Sequence, residues 1–532
     1  MVPAIAGVLC HVTYFSRGEH HLFAVRYVQL FFVAFLFILS IFMYGQADAF
    51  LPALNKVAWI ALSYVSGLYS SVVFYRLLLH PLNKFPGSLG ARITSFWLSW
   101  RVRHGDTFRQ LKSLHDLYGP FVRIGPNNLS IAHPKAVNII YGSGSKCSKA
   151  PWYDLTKPMV SLQTFREKSL HDERRRVWST AFSDKALRGY EQRLRGYRNK
   201  LVDHLSTLDG RPINIKKWFN LYSFDFMGDL AYGKSFDMLE TSQEHWAIKL
   251  LSDGLEPLAF AFPVWFFRLL TAIPGLANDW WRFIDFCAER MEQRLRTEVD
   301  SPDIMSALSA PLKGQRPSDR DWLLLRGDAQ LIVVAGSDTT ATTLTAAIFE
   351  LVRHPEQLDK LREELAPYMT DPTNEVLNEK IANLDHLNAI INETLRLHPP
   401  VPSMLQRKTP PEGITIDETY VPGDKIVSCP QYVIGRSEAA YDKPEAFIPE
   451  RWYLHPGMVK DKTAFAPFST GPYGCIGRPL ALLNIRTTLA RLVTTFDSSF
   501  APGENGKGFE EKAREKFTLN FGDLMISFKR RV

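Results

Sequence analysis

The segment Phe468-Ser469-Thr470-Gly471-Pro472-Tyr473-Gly474-Cys475-Ile476-Gly477 sets one cysteine among three glycines. Cysteine binds metals as the thiolate, whose charge must be stabilised. Apolar residues recur with helical spacing from about Gly477 to Phe496 (Leu480, Leu483, Leu489, Leu492, Val493). That pattern predicts a helix with Cys475 at its positive N-terminal end. Gly471, Gly474 and Gly477 let the backbone approach closely, so that N–H groups can point at the sulfur and tune a metal such as iron bound to it. Phe468 is placed to keep water from the same side. The plainer reading is a small buried residue after a glycine turn.

Three further groupings carry chemistry. In Gln330 to Thr340 the run Leu331 to Val334, followed by Leu344, Ala347, Ile348 and Leu351, predicts one long helix. Gly336 inside it costs roughly 1 kcal/mol relative to alanine, and opens the helix surface to something bulky. Asp338 and Thr339 then offer a relayed proton at an apolar site, against the commoner use of Ser337 or Asp338 as a helix cap. Glu393 and Arg396 lie three apart on one helical face that Pro399-Pro400 ends, an ordinary exposed ion pair by default. His171 to Arg176 places a histidine before three consecutive arginines. That run suits either carboxylate binding or a solvated charged face.

Taken together these segments resemble the cytochrome P450 family. Phe-x-x-Gly-x-x-x-Cys-x-Gly, continued by Arg478-Pro479-Leu480-Ala481, is similar to its haem-binding loop, and Ala-Gly-x-Asp-Thr-Thr at 335–340 to its oxygen-binding helix. Glu393-x-x-Arg396 and Pro449-Glu450-Arg451-Trp452 resemble two more signatures, all in the right order. The resemblance implies haem b as cofactor, with Cys475 as the axial thiolate ligand to its iron. It implies that Phe468, Gly471, Tyr473 and Gly477 line the haem, and that His171, Arg175 and Arg407 bind its propionates. Asp338 and Thr339 would deliver protons for oxygen activation. Glu393, Arg396 and Arg451 would form a buried structural network, tolerated only if complete. One position departs from the pattern: the residue two before the cysteine, usually Arg or His on a propionate, is Tyr473, which donates a hydrogen bond but no charge.

The implied fold is mainly α with small β-sheets, a P450-like single catalytic domain behind an N-terminal membrane anchor. The implied activity is that of a fungal microsomal monooxygenase, oxidising an apolar small molecule with O2 and NADPH-derived electrons in secondary metabolism. Its partners would be an NADPH-cytochrome reductase and membrane lipid, at the endoplasmic reticulum with the catalytic domain cytosolic. The alternatives are a thiolate-haem isomerase or dehydratase, which the Asp338-Thr339 pair disfavours, and a non-catalytic haem-binding membrane protein.

The elements that must position these residues begin with an anchor at 1–79. Two uncharged apolar stretches, 27–44 and 57–75, each approach the roughly 20 residues that cross a bilayer. Arg17 and Arg26 precede the first, and Arg76 and Lys84 follow the second, which predicts a hairpin with both ends cytosolic. The second stretch, diluted by serines, also suits an interfacial helix. Two prolines and a glycine within 80–87 predict a stiff linker over 80–90, followed by one domain over 91–532. Asp300 to Asp321 is polar and predicts a surface loop, with long helices from Asp328 to His398. Short strands are expected at Gly413 to Tyr420, Lys425 to Ser428 and Leu524 to Lys529.

The 532 residues carry a formal charge of +8 without a long basic block, which suits an acidic protein partner or anionic lipid and not nucleic acid. Arg174, Arg176, Lys185 and Arg188 are candidates for a basic face that docks the reductase. Five cysteines without paired spacing and no CxxC argue against a disulfide framework and a zinc site. Substrate contacts have no motif. The stretch Leu255 to Ile273 suits the lining of an access channel or contact with lipid, with core the reading for most of it, and Val401 and Met404 are placed to border a pocket.

Overall fold

The longest helix, Asp319–Arg353, is the axis of the molecule in the computed structural model, which describes residues 1–298, 301–371, 373, 375–403 and 405–531. It begins well before the expected start at Asp328. Ser318 and Asp321 close a capping box, each side chain accepting the other's backbone N–H at 3.2 Å, which satisfies amides a helix start leaves open. Within the expected polar loop a short helix, Ile304–Ser309, is capped likewise by Asp303 and Ser306; Asp300 lies outside the described residues.

Around this axis pack the helices Ile215–Tyr232, Asn278–Leu295, Asp385–Leu397 and Arg478–Thr495. Their apolar faces form the larger of two cores, where Phe219, Phe283, Leu344, Phe349 and Leu489 are almost wholly buried. The mainly helical architecture with small sheets is the one expected. The smaller core lies under a five-stranded mixed sheet, in the order Phe121–Gly125, Asn128–Ile131, Ile426–Ser428, Arg407–Lys408, Ser148–Lys149. Its apolar residues include Val122, Ile124, Leu129 and Val427. The expected strands near 413–420, 425–428 and 524–529 appear as the Ile414–Ile416/Thr419–Val421 hairpin, Ile426–Ser428 and Met525–Arg530.

The proline-rich segment is no loose spacer. Leu82 and Phe85 are buried in the smaller core, and Arg123 donates its backbone N–H to Pro86 O (2.8 Å) and a guanidinium N–H to Asn83 Oδ1 (2.6 Å).

Before it stand three helices where two apolar stretches were expected. His21–Gly45 and Phe50–Leu79 are long and apolar enough to cross a membrane, with mean hydropathies of 2.3 and 1.6. Val2–Cys10, continued to Phe15, was not anticipated. It lies against the third helix through reciprocal small residues. A Cβ on Gly7 would come within 2.2 Å of Tyr64 O, and one on Gly67 within 2.1 Å of Ala4 O, the backbone approach by which helices associate where water does not drive them together. The central helix is also apolar enough to span, but it is buried in the domain.

Candidate functional site

A cavity of about 810 Å3 separates the central helix from the glycine-rich loop. Cys475 enters it from below. Its backbone N–H donates to Phe468 O (2.8 Å), closing the loop, and the helix that follows runs from Arg478 to Thr495 with Gly477 at its N-cap. Burial pushes the Cys475 thiol up, against the opposing pull of the Gly477 and Arg478 N–H groups and of the Arg175 and Arg478 charges. Coordination to a metal would remove the thiol proton outright. Gly471 has φ +66° and no room for a side chain, since a Cβ would meet Tyr141 O at 2.3 Å. Phe468, Tyr473 and Gly477 all line the cavity.

Basic residues gather at one side. The helix Lys168–Thr180 presents His171 and Arg175 to the cavity, and Arg175 Nη1 donates to Gly474 O (2.8 Å). The neighbouring Arg174 points the other way. Its Nε donates to Asp328 Oδ2 (2.6 Å), a wholly buried carboxylate that also accepts Trp178 Nε1 and Leu162 N at 2.9 Å. This fixes the register of the three arginines and removes Arg174 from any docking face, leaving Arg176, Lys185 and Arg188 exposed. Asp328 escaped sequence reasoning because a lone acid in an apolar run carries no spacing signal.

Arg407, from the strand Arg407–Lys408, donates to Tyr153 OH (2.8 Å), and its Nε is buried without a partner among the described residues. The Tyr473 ring is the meeting point. The His171 ring lies edge-on at 4.6 Å, the Arg407 guanidinium at 5.1 Å and the Lys149 ammonium at 4.8 Å. Burial pushes the His171 imidazole down to about 4. Among the described residues no carboxylate hydrogen-bonds Lys149, Arg175 or Arg407. A cavity with a cysteine sulfur below and buried cations with an orphaned N–H at its edge fits a flat apolar group with an acidic margin and a thiolate-seeking metal. Haem, with its two propionates, is such a group.

Above the cavity, Gly336, Thr339 and Thr340 line the wall. Thr339 Oγ1 donates to Ala335 O (2.8 Å), and a Cβ on Gly336 would strike Met227 Cε at 2.4 Å, so the glycine also seats a neighbouring helix. Asp338 hydrogen-bonds the hydroxyl of Thr518, a residue that lines the cavity, and the Lys216 and Lys516 charges act on its carboxyl. Burial pushes its carboxyl up, and those three groups oppose the shift. Val401 lines the cavity and Met404 lies outside the described residues. The stretch Leu255 to Ile273 is wall and surface rather than core. Phe260, Phe262 and Phe267 face the cavity, no residue of Val264–Thr271 is buried, and Trp265 and Ile273 are exposed. Trp152 and Phe517 also line the cavity, stacked at 5.0 Å.

Behind the loop, Glu393 is fully buried and fully satisfied. It accepts Arg396 Nε and Nη2 (2.9 and 2.7 Å), Arg451 Nε (2.9 Å), Trp452 Nε1 (2.9 Å) and Ile448 N (2.9 Å).

The family model described as cytochrome P450 matches residues 88–527. The chain is 48% identical to the cytochrome P450 monooxygenase notG' of Aspergillus versicolor, over 100% of this chain and 98% of that one. It is 48% identical to the tryprostatin B 6-hydroxylase of Aspergillus fumigatus, over 99% and 95% of the two chains, and 37% identical to the cytochrome P450 monooxygenase lcsK of Purpureocillium lilacinum over 99% and 97%. Among solved structures, the haem domain of cytochrome P450DA superposes with a TM-score of 0.67 at 16% identity, covering 80% of this chain and 94% of that one.

Proposed function

The chain belongs to the cytochrome P450 family and is a haem-dependent monooxygenase, and from that premise we propose that it is a membrane-anchored enzyme hydroxylating an apolar fungal secondary metabolite, with Cys475 as the iron ligand. The observation that carries this reading is one cavity walled by Cys475 on one side and by Gly336, Thr339 and Thr340 on the other. Haem, when bound, supplies the iron at which dioxygen is reduced, so that one oxygen atom enters the substrate and the other leaves as water.

The chain's own residues do the rest. Thr339 presents a hydroxyl to the cavity. Asp338, its carboxyl raised by burial, holds a proton more readily than a solvated aspartate and passes it inward. Thr518, which lines the cavity, hydrogen-bonds the Asp338 carboxyl, and the Lys216 and Lys516 charges act on that carboxyl. His171, Arg175 and Arg407 bind the haem propionates. Phe260, Phe262, Phe267, Trp152 and Phe517 exclude water and offer aromatic faces to an apolar substrate. The hydroxylase of Aspergillus fumigatus acts on tryprostatin B, which makes that compound the first substrate to try here.

Electrons come from NADPH through a membrane-bound reductase, docked on the basic face of Arg176, Lys185 and Arg188. The helices His21–Gly45 and Phe50–Leu79 form the anchor hairpin in the endoplasmic reticulum. With Arg17, Arg26 and Arg76 at its domain end, the hairpin leaves the catalytic domain cytosolic.

The test is a reconstituted system of full-length chain, reductase and NADPH. Substrate-dependent NADPH and O2 consumption matched to hydroxylated product is the expected result. Turnover without either co-reactant would replace a monooxygenase by an isomerase or dehydratase. Cys475→Ser is expected to abolish the red-shifted Soret band of the reduced carbon monoxide complex and all hydroxylation. A band that persists removes Cys475 as ligand.

A further inference from the structure

The strands Arg514–Lys516 and Thr518–Asn520 pair antiparallel with Lys516 opposite Thr518, so Phe517 alone makes the turn between them. Its φ is +76°, the value of the rare classic γ-turn and a strained backbone for so bulky a residue. Glycine would make this turn without strain. A strained residue persists only where its surroundings over-determine it, and such residues gather where conformation serves function. Here the stem of the turn is pinned at several points. Glu256 pairs with Arg514 Nη2 (2.7 Å) and with Lys516 Nζ (2.6 Å). Glu515 N donates to Gly105 O (2.6 Å) and Leu519 N to Pro400 O (2.8 Å). The Phe517 ring lies stacked on Trp152, 5.0 Å between centroids, and both rings line the cavity.

The next residue meets Asp338. The strand Thr518–Asn520 lies along the central helix, where Thr342 Oγ1 donates to Leu519 O (3.2 Å). Asp338 comes four residues before Thr342 and so shares that helix face, and the Thr518 hydroxyl hydrogen-bonds its carboxyl. One peptide unit therefore separates a ring at the cavity wall from the hydroxyl that holds Asp338.

We propose that Thr518 is a positioning residue for the Asp338 carboxyl, and that Phe517 makes this positioning depend on what fills the cavity. The proposal rests on the haem monooxygenase reading above and deepens it. An apolar ligand lying against the Phe517–Trp152 pair displaces the Phe517 ring. In the narrow left-handed region a side chain this large has little freedom to move by itself. With the stem pinned, the displacement passes into the peptide shared with Thr518. The two charges that act on the same carboxyl are fixed, Lys216 by donating to Phe521 O (2.6 Å) and Lys516 by Glu256. The Thr518 hydroxyl is left as the movable partner, and the proton held at Asp338 is set for delivery when the cavity is occupied.

The experiment reads the carboxyl itself. Full-length holoenzyme is examined by infrared difference spectroscopy with and without clotrimazole, a bulky azole that ligates haem iron and fills the space above it. The Asp338 signal is the protonated-carboxyl C=O band that Asp338→Asn removes. In wild type this band is expected to shift when the azole binds. Thr518→Val keeps the shape and deletes the hydroxyl; it is expected to displace the band in the free protein and to abolish the azole-induced shift. Thr518→Ser, which returns a hydroxyl, is expected to restore both. Phe517→Gly relaxes the turn and removes the ring; it is expected to keep a hydrogen-bonded band but lose the azole-induced shift.

A band indifferent to Thr518→Val overturns the proposal, as does a wild-type shift in Phe517→Gly or the lack of any band that Asp338→Asn removes. Should Thr518→Val fail to accumulate folded, Phe517→Gly decides alone, since glycine adopts this φ freely. Wild type whose Soret band ignores the azole refutes the haem reading and this proposal with it. Wild type that binds the azole normally without any shift of the carboxyl band refutes only the coupling through the turn.

Discussion

Thr339 and Asp338 are adjacent in sequence but meet different surroundings, and that split decides what each variant should do. Thr339 faces the cavity with its hydroxyl tied to Ala335 O. On the proposed reading, Thr339→Ala removes a hydroxyl that lines the cavity and leaves the Asp338 carboxyl in place. The expected outcome is O2 consumption near wild type but diverted to peroxide, with product per NADPH falling several-fold; unchanged coupling would remove Thr339 from proton delivery. Asp338 lies toward Thr518, Lys216 and Lys516. Asp338→Asn leaves shape and removes the exchangeable proton, so turnover is expected to fall about 100-fold, the scale of a lost general acid, with a larger solvent isotope effect on kcat. At this scale much of the site was legible. Cys475, Gly336, Asp338 and Thr339 carry fixed spacings within single segments. Asp328 and Thr518 do not, because each acquires its neighbours from elements far away in the chain. The triple arginine was ambiguous for a related reason, and only the position of Asp328 tells Arg174 from Arg175.

Among the elements, the helix Asp385–Leu397 and the turn Pro449–Trp452 are joined through one buried carboxylate. Glu393 balances two guanidiniums that are themselves 0% exposed at the side chain. Glu393→Gln leaves that charge uncompensated, and a loss of ~3–5 kcal/mol is expected, read as a lower unfolding midpoint with early release of haem. A midpoint within a degree of wild type would mean the network is not what holds these elements. The strand Arg514–Lys516 contains a second buried acid with the opposite character. Among the described residues Glu515 accepts from Ser403 Oγ (2.6 Å) and from the Phe108 backbone, and burial pushes its carboxyl up to about 8. The folded chain then holds this proton between about pH 4.5 and 8, while the unfolded chain releases it. More protons bound in the folded state means stability that falls as pH rises across that window. Glu515→Gln is expected to flatten the decline and to raise the unfolding midpoint at pH 8, and an unaltered slope would exclude Glu515 as its source. The extent of the central helix was the least legible feature at this scale. Its first turns, Asp319 to Arg326, are charged and resemble loop, and they become helix through the Ser318–Asp321 capping box and packing against neighbours.

For the whole molecule, the apolar N-terminal helices also help to wall the cavity. Val25, in the helix Ala24–Ser40, lines the cavity together with Trp152, Lys157 and Arg268 of the catalytic domain. The turn before that helix is fastened to the domain by charge. Arg166 makes a two-pronged pair with Glu19 (2.8 and 2.9 Å) and reaches Asp154 Oδ2 (2.6 Å), which His21 Nε2 also contacts at 2.9 Å. Lys157 and Lys408 complete the neutralisation of these acids, so the cluster of Glu19, His21 and Asp154 is an ionic clasp and not a metal site. None of this was readable from the apolar stretches, whose composition says how long a helix is and nothing of what docks against it. If substrate enters past this wall, enlarging Val25 narrows the entrance without touching the haem. Val25→Trp is expected to raise KM about tenfold while kcat and the carbon monoxide difference spectrum stay as in wild type, the pattern of weakened binding without damage to the chemical step. Val28→Trp, at an exposed position of the same helix, is the control and should leave both constants unchanged. A Val25→Trp enzyme with wild-type KM would place the route of entry elsewhere, through the wall formed by Phe260, Phe262 and Phe267, and would leave the clasp as a device that only fixes how the domain sits on its anchor.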